Sequence, residues 1–129
     1  MSEIATKSPM RILVTDDDSS IRTLVATILR RAGYDVDTAA SGRIALEKIG
    51  LEDYDVVMLD LMMPEVSGFD VLASLRSRDR HRRFVVVMSA ASCDTVSNVV
   101  GGNVFASLRK PFAIDEMVAT VRACIAAAA

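Results

Sequence analysis

Val56-Val57-Met58-Leu59-Asp60-Leu61-Met62-Met63-Pro64 is the stretch that decides the fold. Four apolar residues lead into one carboxylate, and turns follow at Pro64 and Gly68. A continuous apolar run bounded by turn residues reads as a strand buried on both faces, the kind found in parallel sheets. In open parallel sheets, ligands and chemistry sit just beyond the carboxyl ends of the strands. Asp60 is thereby carried from the interior to a functional edge. Taken alone, an Asp in this place is equally well explained as a turn cap, since its side chain bonds readily to nearby backbone. The rest of the chain has to decide.

On the N-terminal side, Arg11 to Thr15 reads as a short strand ending in Asp16-Asp17-Asp18, with Asp18 or Ser19 capping a helix. That helix carries Ile21, Leu24, Val25, Ile28 and Leu29 as an apolar stripe, and Gly33 ends it. Asp35 to Ala40 is a weaker strand, and Ser41 caps a helix with Ile44, Ala45, Leu46 and Ile49. The third strand spans Asp55 to Leu59. On the C-terminal side, a helix starts near Phe69 with Val71, Leu72 and Leu75 inward. Phe84 to Met88 is an apolar fourth strand ending at Ser89, and Val104 to Leu108 is a fifth, followed by Lys110-Pro111. A helix from Ile114 to about Ala126 places Met117, Val121 and Ile125 on one face. The stretch Ser92–Gly102 should hold one more helix, but its Ser, Thr, Val and Asn are poor helix formers. Arg76 to Arg83, with five arginines and one histidine, reads as a solvated loop. Strand and helix alternate with short connections, which predicts an α/β, doubly wound, five-stranded parallel sheet with helices on both faces.

With 129 residues, the chain has room for one domain with a real core. Its formal net charge of -2 argues against direct nucleic-acid binding by this domain. Met1 to Pro9 lacks the apolar segment of a signal peptide and reads as a flexible tail. No apolar run is long enough to span a bilayer. Cys93 and Cys124 stand in no metal-ligand spacing, and a reduced, cytoplasmic chain is the simpler reading.

The predicted sheet brings Asp16, Asp17, Asp60 and Ser89 to one edge, with Lys110 at the end of the fifth strand. Clustered carboxylates stay ionised only when something positive neutralises them. A hard divalent cation such as Mg2+, held by one or two carboxylates, a carbonyl and waters, would do so. A carboxylate beside such a cation and a lysine can attack a phosphoryl group and form an acyl phosphate. Ser89 would then donate to a phosphoryl oxygen. Each part has an ordinary alternative: a helix cap at Asp16–Asp18, a turn serine, a surface lysine. Their joint placement at different strand ends is what favours the chemical reading.

Val14-Thr15-Asp16-Asp17-Asp18, Met58 to Pro64 with Gly68, Met88-Ser89-Ala90 and Lys110-Pro111-Phe112 together resemble the receiver domain of two-component response regulators. The resemblance covers residues 10–126 as the receiver domain, with 1–9 and 127–129 as tails. It implies the flavodoxin-like, chemotaxis-regulator type of fold, with strand order 2-1-3-4-5. It implies that Asp60 is the phosphoacceptor, supplied by a histidine kinase or phosphotransfer protein. Asp17, Asp60 and the Met62 backbone carbonyl would bind Mg2+ directly and Asp16 through water, with Lys110 and Ser89 completing the site. It also implies a cis Lys110–Pro111 bond. Such a protein catalyses only its own phosphorylation and slow dephosphorylation. It would act on an unidentified downstream protein, as a monomer or a phosphorylation-dependent dimer.

Two departures stand out. Ser107 occupies the place of a usual aromatic residue, and the segment from Ser89 to Lys110 is about one residue short.

Three other functions fit less well. An aspartyl-nucleophile phosphatase would need a general acid where Met62 stands. A nucleotide- or flavin-binding domain would need glycines where Asp16-Asp17-Asp18 stand. A receiver-like interaction module that works without phosphorylation would not need the intact acidic set.

Overall fold

The computed structural model describes residues 10–77, 84–90 and 104–128. The elements run β1 (Arg11–Thr15), α1 (Ser19–Arg31), β2 (Asp35–Ala39), α2 (Gly42–Leu51), β3 (Val56–Asp60), α3 (Gly68–Ser77), β4 (Phe84–Ser89), β5 (Val104–Arg109) and α4 (Ile114–Ala128). The helix expected over Ser92–Gly102, Cys93, the tail over 1–9 and positions 78–83 of the arginine-rich segment lie outside the described residues.

All five residues of β3 are buried, as its uninterrupted apolar run requires. Val56, Val57, Met58 and Leu59 are each 0% exposed, and each such side chain stabilises the fold by roughly 1.5–3 kcal/mol. A strand buried on both faces belongs inside a parallel sheet. Here β3 lies between β1 and β4 in the order β2-β1-β3-β4-β5, and all four pairings are parallel. This is the doubly wound, flavodoxin-like arrangement with order 2-1-3-4-5.

Alternation along the strands divides the core in two. Leu13, Val57, Leu59, Val85 and Val87 face α2 and α3, where they meet Ala45, Ile49, Val71, Leu72 and Leu75. Ile12, Val14, Val56, Met58, Val86 and Met88 face α1 and α4, where they meet Val25, Leu29, Met117 and Val121.

The ends of the helices follow local chemistry. Asp18 is the N-cap of α1, its carboxylate accepting from the Ser20 and Ile21 amides. Gly33, at φ +101, closes α1. The Tyr34 amide donates to the Leu29 carbonyl and the Gly33 amide to the Arg30 carbonyl, which is a Schellman closure. Ser67 and Asp70 form a reciprocal cap at the start of α3: the Ser67 amide donates to Asp70 Oδ2 at 2.9 Å and the Asp70 amide to Ser67 Oγ at 3.3 Å. At the far edge of the sheet, Arg11 joins β1 to β2 through Asp35 and Asp37 and to Glu52 beyond α2.

Several boundaries and faces differ from expectation; β2 stops at Ala39, β3 begins at Val56 and β5 runs on to Arg109. Asp60 is the last residue of β3 rather than the first of the loop. In α1, Ala26 is buried and Leu24 is 49% exposed; the helix turns the methyl of Ala26, not the bulk of Leu24, to the sheet. In α4, Cys124 takes the third buried place and Ile125 is half-buried. The tail assigned to 127–129 is corrected at Ala127 and Ala128, which continue α4. Alanine is the best helix former, and no glycine or proline stops it there.

The loop after β3 contains Glu65 at φ 64, a left-handed conformation unusual for a residue with a Cβ. Asn tolerates this region better. Glu65→Asn should therefore raise stability by about 0.5 kcal/mol, seen as a higher urea midpoint with an unchanged slope.

Candidate functional site

The register explains how residues from distant parts of the chain meet. Thr15 pairs with Leu59, so the next residues outward, Asp16 and Asp60, stand side by side. Asp60 pairs with Met88, which sets Ser89 one step further out. Ser89 pairs with Arg109, and the Lys110 amide continues the ladder by donating to the Ser89 carbonyl at 2.8 Å. Four strands thus deliver Asp16, Asp60, Ser89 and Lys110 to one edge.

Asp16, Asp17 and Asp60 each place a carboxylate oxygen within 4.8 Å of the others. Asp16 is 0% exposed and Asp60 4%, whereas Asp17 is exposed. The residues line an open cavity of about 480 Å3, shared with Met62, Ala90 and Lys110. Ser89 is buried at the end of β4.

Lys110 lies at the centre of the charge balance. Its Nζ is 2.7 Å from Asp16 Oδ2 and 3.5 Å from Asp60 Oδ2. The other oxygen of Asp16 accepts from the Asp18 amide at 2.9 Å, and Asp60 Oδ1 accepts from the Met62 amide at 3.1 Å. Burial works against the Lys110 ammonium, but Asp16 and then Asp60 outweigh it, so its pKa lies above the ordinary lysine value. Burial pushes the Asp60 carboxyl up to about 6; the Asp16 charge adds to this, while the Met62 amide and Lys110 oppose it. The Lys110–Pro111 peptide is cis, as the motif implied.

The donor set suits a hard divalent cation. It is all oxygen, its members converge, and three carboxylates outnumber the one lysine ammonium bonded among them. The surroundings of the nucleophile candidate are close-packed. A Cβ on Gly68 would come within 2.3 Å of the Asp60 carbonyl oxygen, so only glycine lets the start of α3 approach the end of β3.

Of the residues singled out in the sequence, Asp16, Asp17, Asp60, Met62 and Lys110 line one cavity, and Ser89 ends the neighbouring strand without lining it. Sequence reasoning did not single out Arg22, whose Nη1 donates to the Asp16 carbonyl at 2.9 Å. An arginine in the first turn of a helix carries no distinguishing signal in one sequence.

A five-stranded doubly wound sheet with an acidic cluster and a lysine at one edge defines a class of signalling module, and comparison places the chain within it. The model of the response regulator receiver domain matches residues 12–122, and the chain belongs to that family. Transcriptional regulatory protein CutR of Streptomyces coelicolor is 43% identical over 116 residues, covering 88% of this chain and 52% of that protein. Transcriptional regulatory protein TcrA of Mycobacterium tuberculosis is 41% identical over 118 residues, covering 90% of this chain and 46% of that protein. The chain therefore spans about half the length of these curated relatives. Response regulator TrrA of Thermotoga maritima, solved in complex with Mg2+-BeF, superposes with a TM-score of 0.80 at 33% identity, covering 89% of this chain and 98% of that one. Among the described residues, no helix is long and apolar enough to cross a membrane.

Two predictions follow from the charge arrangement. Lys110→Met leaves the Asp16 carboxylate buried without its counter-ion. Breaking a buried pair costs about 3–5 kcal/mol, and the open cavity should reduce this to about 2–3 kcal/mol here. Adding Asp16→Asn to Lys110→Met should recover most of the loss in urea melts.

The second concerns pH. The Asp60 carboxyl has a higher pKa folded than unfolded, so between about 4 and 6 the native state binds more protons. The associated stability is complete below the unfolded value and is lost as pH rises through about 6. In metal-free buffer, Asp60→Asn should therefore melt higher than the native protein at pH 7.5, by about 2 kcal/mol of stability. Thermal melts at pH 4 should show that advantage nearly gone.

Proposed function

We propose that this domain accepts a phosphoryl group on Asp60 from a phosphohistidine of a histidine kinase or phosphotransfer protein, and that the resulting acyl phosphate changes its affinity for a downstream protein. The observation that carries the reading is the placement of Asp60. It ends a fully buried strand, with Asp16 and Asp17 oxygens within 4.8 Å and Lys110 Nζ at 3.5 Å. An Asp60 carboxylate oxygen attacks phosphorus, the phosphorus–nitrogen bond breaks, and the imidazole leaves. Burial keeps the nucleophile poorly hydrated, while the Met62 amide holds one of its oxygens in place.

Asp17, Asp60 and the Met62 carbonyl would hold Mg2+ directly, and Asp16 through water. The metal would neutralise charge on the transferring oxygens. Lys110 adds a second positive charge on the same side. The Ser89 hydroxyl, at the end of β4, would donate to a phosphoryl oxygen after transfer. Catalysis in this reading is limited to the domain's own phosphorylation and slow hydrolysis, in the cytoplasm beside the kinase. The names of CutR and TcrA favour a role upstream of transcription, with this domain itself not contacting nucleic acid.

A receiver-like module that works without phosphorylation would leave the converging carboxylates and Lys110 without a purpose that offsets their repulsion. Ser107 is exposed on β5 and brings no ring to bury, so the response to phosphorylation proceeds without an aromatic at that place.

Incubation with acetyl phosphate and Mg2+ should add one phosphoryl group by intact mass. Asp60→Asn or EDTA should abolish the addition, and millimolar Mg2+ alone should raise the melting temperature of the native protein. Undiminished labelling of Asp60→Asn would sink the assignment.

A further inference from the structure

We propose that Arg22 is a positioning residue of the acidic pocket, which sets the direction of the Asp17 carboxylate by holding the Asp16 carbonyl. The inference rests on the metal-binding reading above and adds a residue to it.

Asp16 itself is fixed at three points. Its amide donates to the Ala39 carbonyl at 3.2 Å. Its side chain accepts from the Asp18 amide at 2.9 Å and from Lys110 Nζ at 2.7 Å. The Asp18 bond closes a ring through the peptide that joins Asp16 to Asp17 and limits its tilt, but none of the three bonds touches the carbonyl oxygen of that peptide. That plane is rigid, and its oxygen stands one residue past the end of β1, beyond the last β1–β3 pairing at Thr15 and Leu59. Arg22 Nη1 donates to this oxygen at 2.9 Å. Holding the oxygen fixes the Asp17 amide and Cα, which lie in the same plane, and so leaves the Asp17 Cα–Cβ bond only the rotation about φ.

Asp17 depends on this control more than its neighbours do. Asp16 and Asp60 are enclosed by packing, whereas Asp17 is exposed. Its backbone is what aims it at the other two carboxylates. Arg22 is well placed for the task. It is half-buried, and its own amide donates to the Asp18 carbonyl at 3.0 Å, in the first turn of α1. A guanidinium also makes a stronger bond to a carbonyl than a neutral donor would.

A purely electrostatic role predicts the opposite sign. A cation beside an anionic pocket competes with a bound metal, so its removal would tighten Mg2+ binding. Loss of aim at Asp17 would weaken it. The test is Mg2+ titration of the whole chain, followed by amide chemical shifts, for the native protein, Arg22→Met, Arg22→Lys and, as reference, Asp17→Asn. The expected result is that Arg22→Met weakens Mg2+ binding about 10-fold despite losing a positive charge, at the low end of what loss of a support to a metal ligand costs. Arg22→Lys, with its charge kept and its planar fork lost, should lie between Arg22→Met and the native protein. Labelling by acetyl phosphate should fall in Arg22→Met at low Mg2+ and recover at high Mg2+. An unchanged or tightened affinity in Arg22→Met overturns the proposal. If Arg22→Met does not fold, Arg22→Lys decides: weakened binding supports positioning, and native affinity overturns it. A native protein indifferent to Mg2+ overturns the metal-binding reading and this inference together, whereas native binding with unaffected variants overturns only the role of Arg22.

Discussion

The ion pair between Lys110 Nζ and Asp16 Oδ2, at 2.7 Å, is the contact on which the functional edge depends. Its partners are 94 positions apart in the chain. Lys110 follows the edge strand β5, three places from β1 in the sheet. Its ammonium passes the end of β3, 3.5 Å from Asp60, to reach Asp16. One side chain therefore ties the last strand to the first across the site. It does so with a compact point charge on a flexible stem, which can serve two carboxylates without committing to the planar geometry of a guanidinium. Without this charge the edge would gather three carboxylates with no ammonium bonded to them. Like charges a few ångströms apart cost about 1 kcal/mol even in water and several times more near a protein surface.

The sheet depends in turn on a plain property of β3. A strand with no polar residue before Asp60 has only one stable location, in the middle, with helices on both faces. Everything that brings the site together follows from that placement and from a parallel register in which Thr15 faces Leu59 and Asp60 faces Met88. The helix caps serve the same end. Asp18 starts α1 directly after the acidic pair, and Ser67 with Asp70 starts α3 directly after the loop that leaves Asp60. Gly68 lets that start lie against the Asp60 carbonyl, where a methyl would not fit.

These relations explain how much could be read from the sequence. Strand ends are legible because apolar runs stop abruptly at Thr15, Leu59 and Met88, and the residues that follow must share an edge once the strands are parallel. The placement of Asp16, Asp17, Asp60, Ser89 and Lys110 at one edge was read from these strand ends, whereas the strand order 2-1-3-4-5 came with the resemblance and is the order of the structure. What was not legible depends on rotation and on partners. The stripe of α1 fits two helical phases, and only packing selects Ala26 over Leu24. The similar ambiguity in α4 exchanges Cys124 for Ile125; Cys124 is free and buried, and burial pushes its thiol up to about 11. That Lys110 prefers Asp16 to Asp60 is a matter of less than an ångström. The contact of Arg22 is with a backbone carbonyl, which every residue has, so no side-chain pattern announces it.

The unequal treatment of the two buried carboxylates is chemically meaningful. Both oxygens of Asp16 are engaged by fixed donors at 2.9 and 2.7 Å, so its lone pairs are committed to those bonds. Asp60 has one oxygen held at 3.1 Å and the other near Lys110 only at 3.5 Å. Burial has raised its pKa to about 6, which makes it a stronger base than an ordinary aspartate. Lys110 contributes to this difference by bonding more closely to Asp16, at 2.7 Å, than to Asp60, at 3.5 Å. A lysine equally tight on Asp60 would lower its pKa and occupy a lone pair that is now loosely held. The observed asymmetry keeps the positive charge in the lining of the cavity and leaves one Asp60 oxygen loosely held.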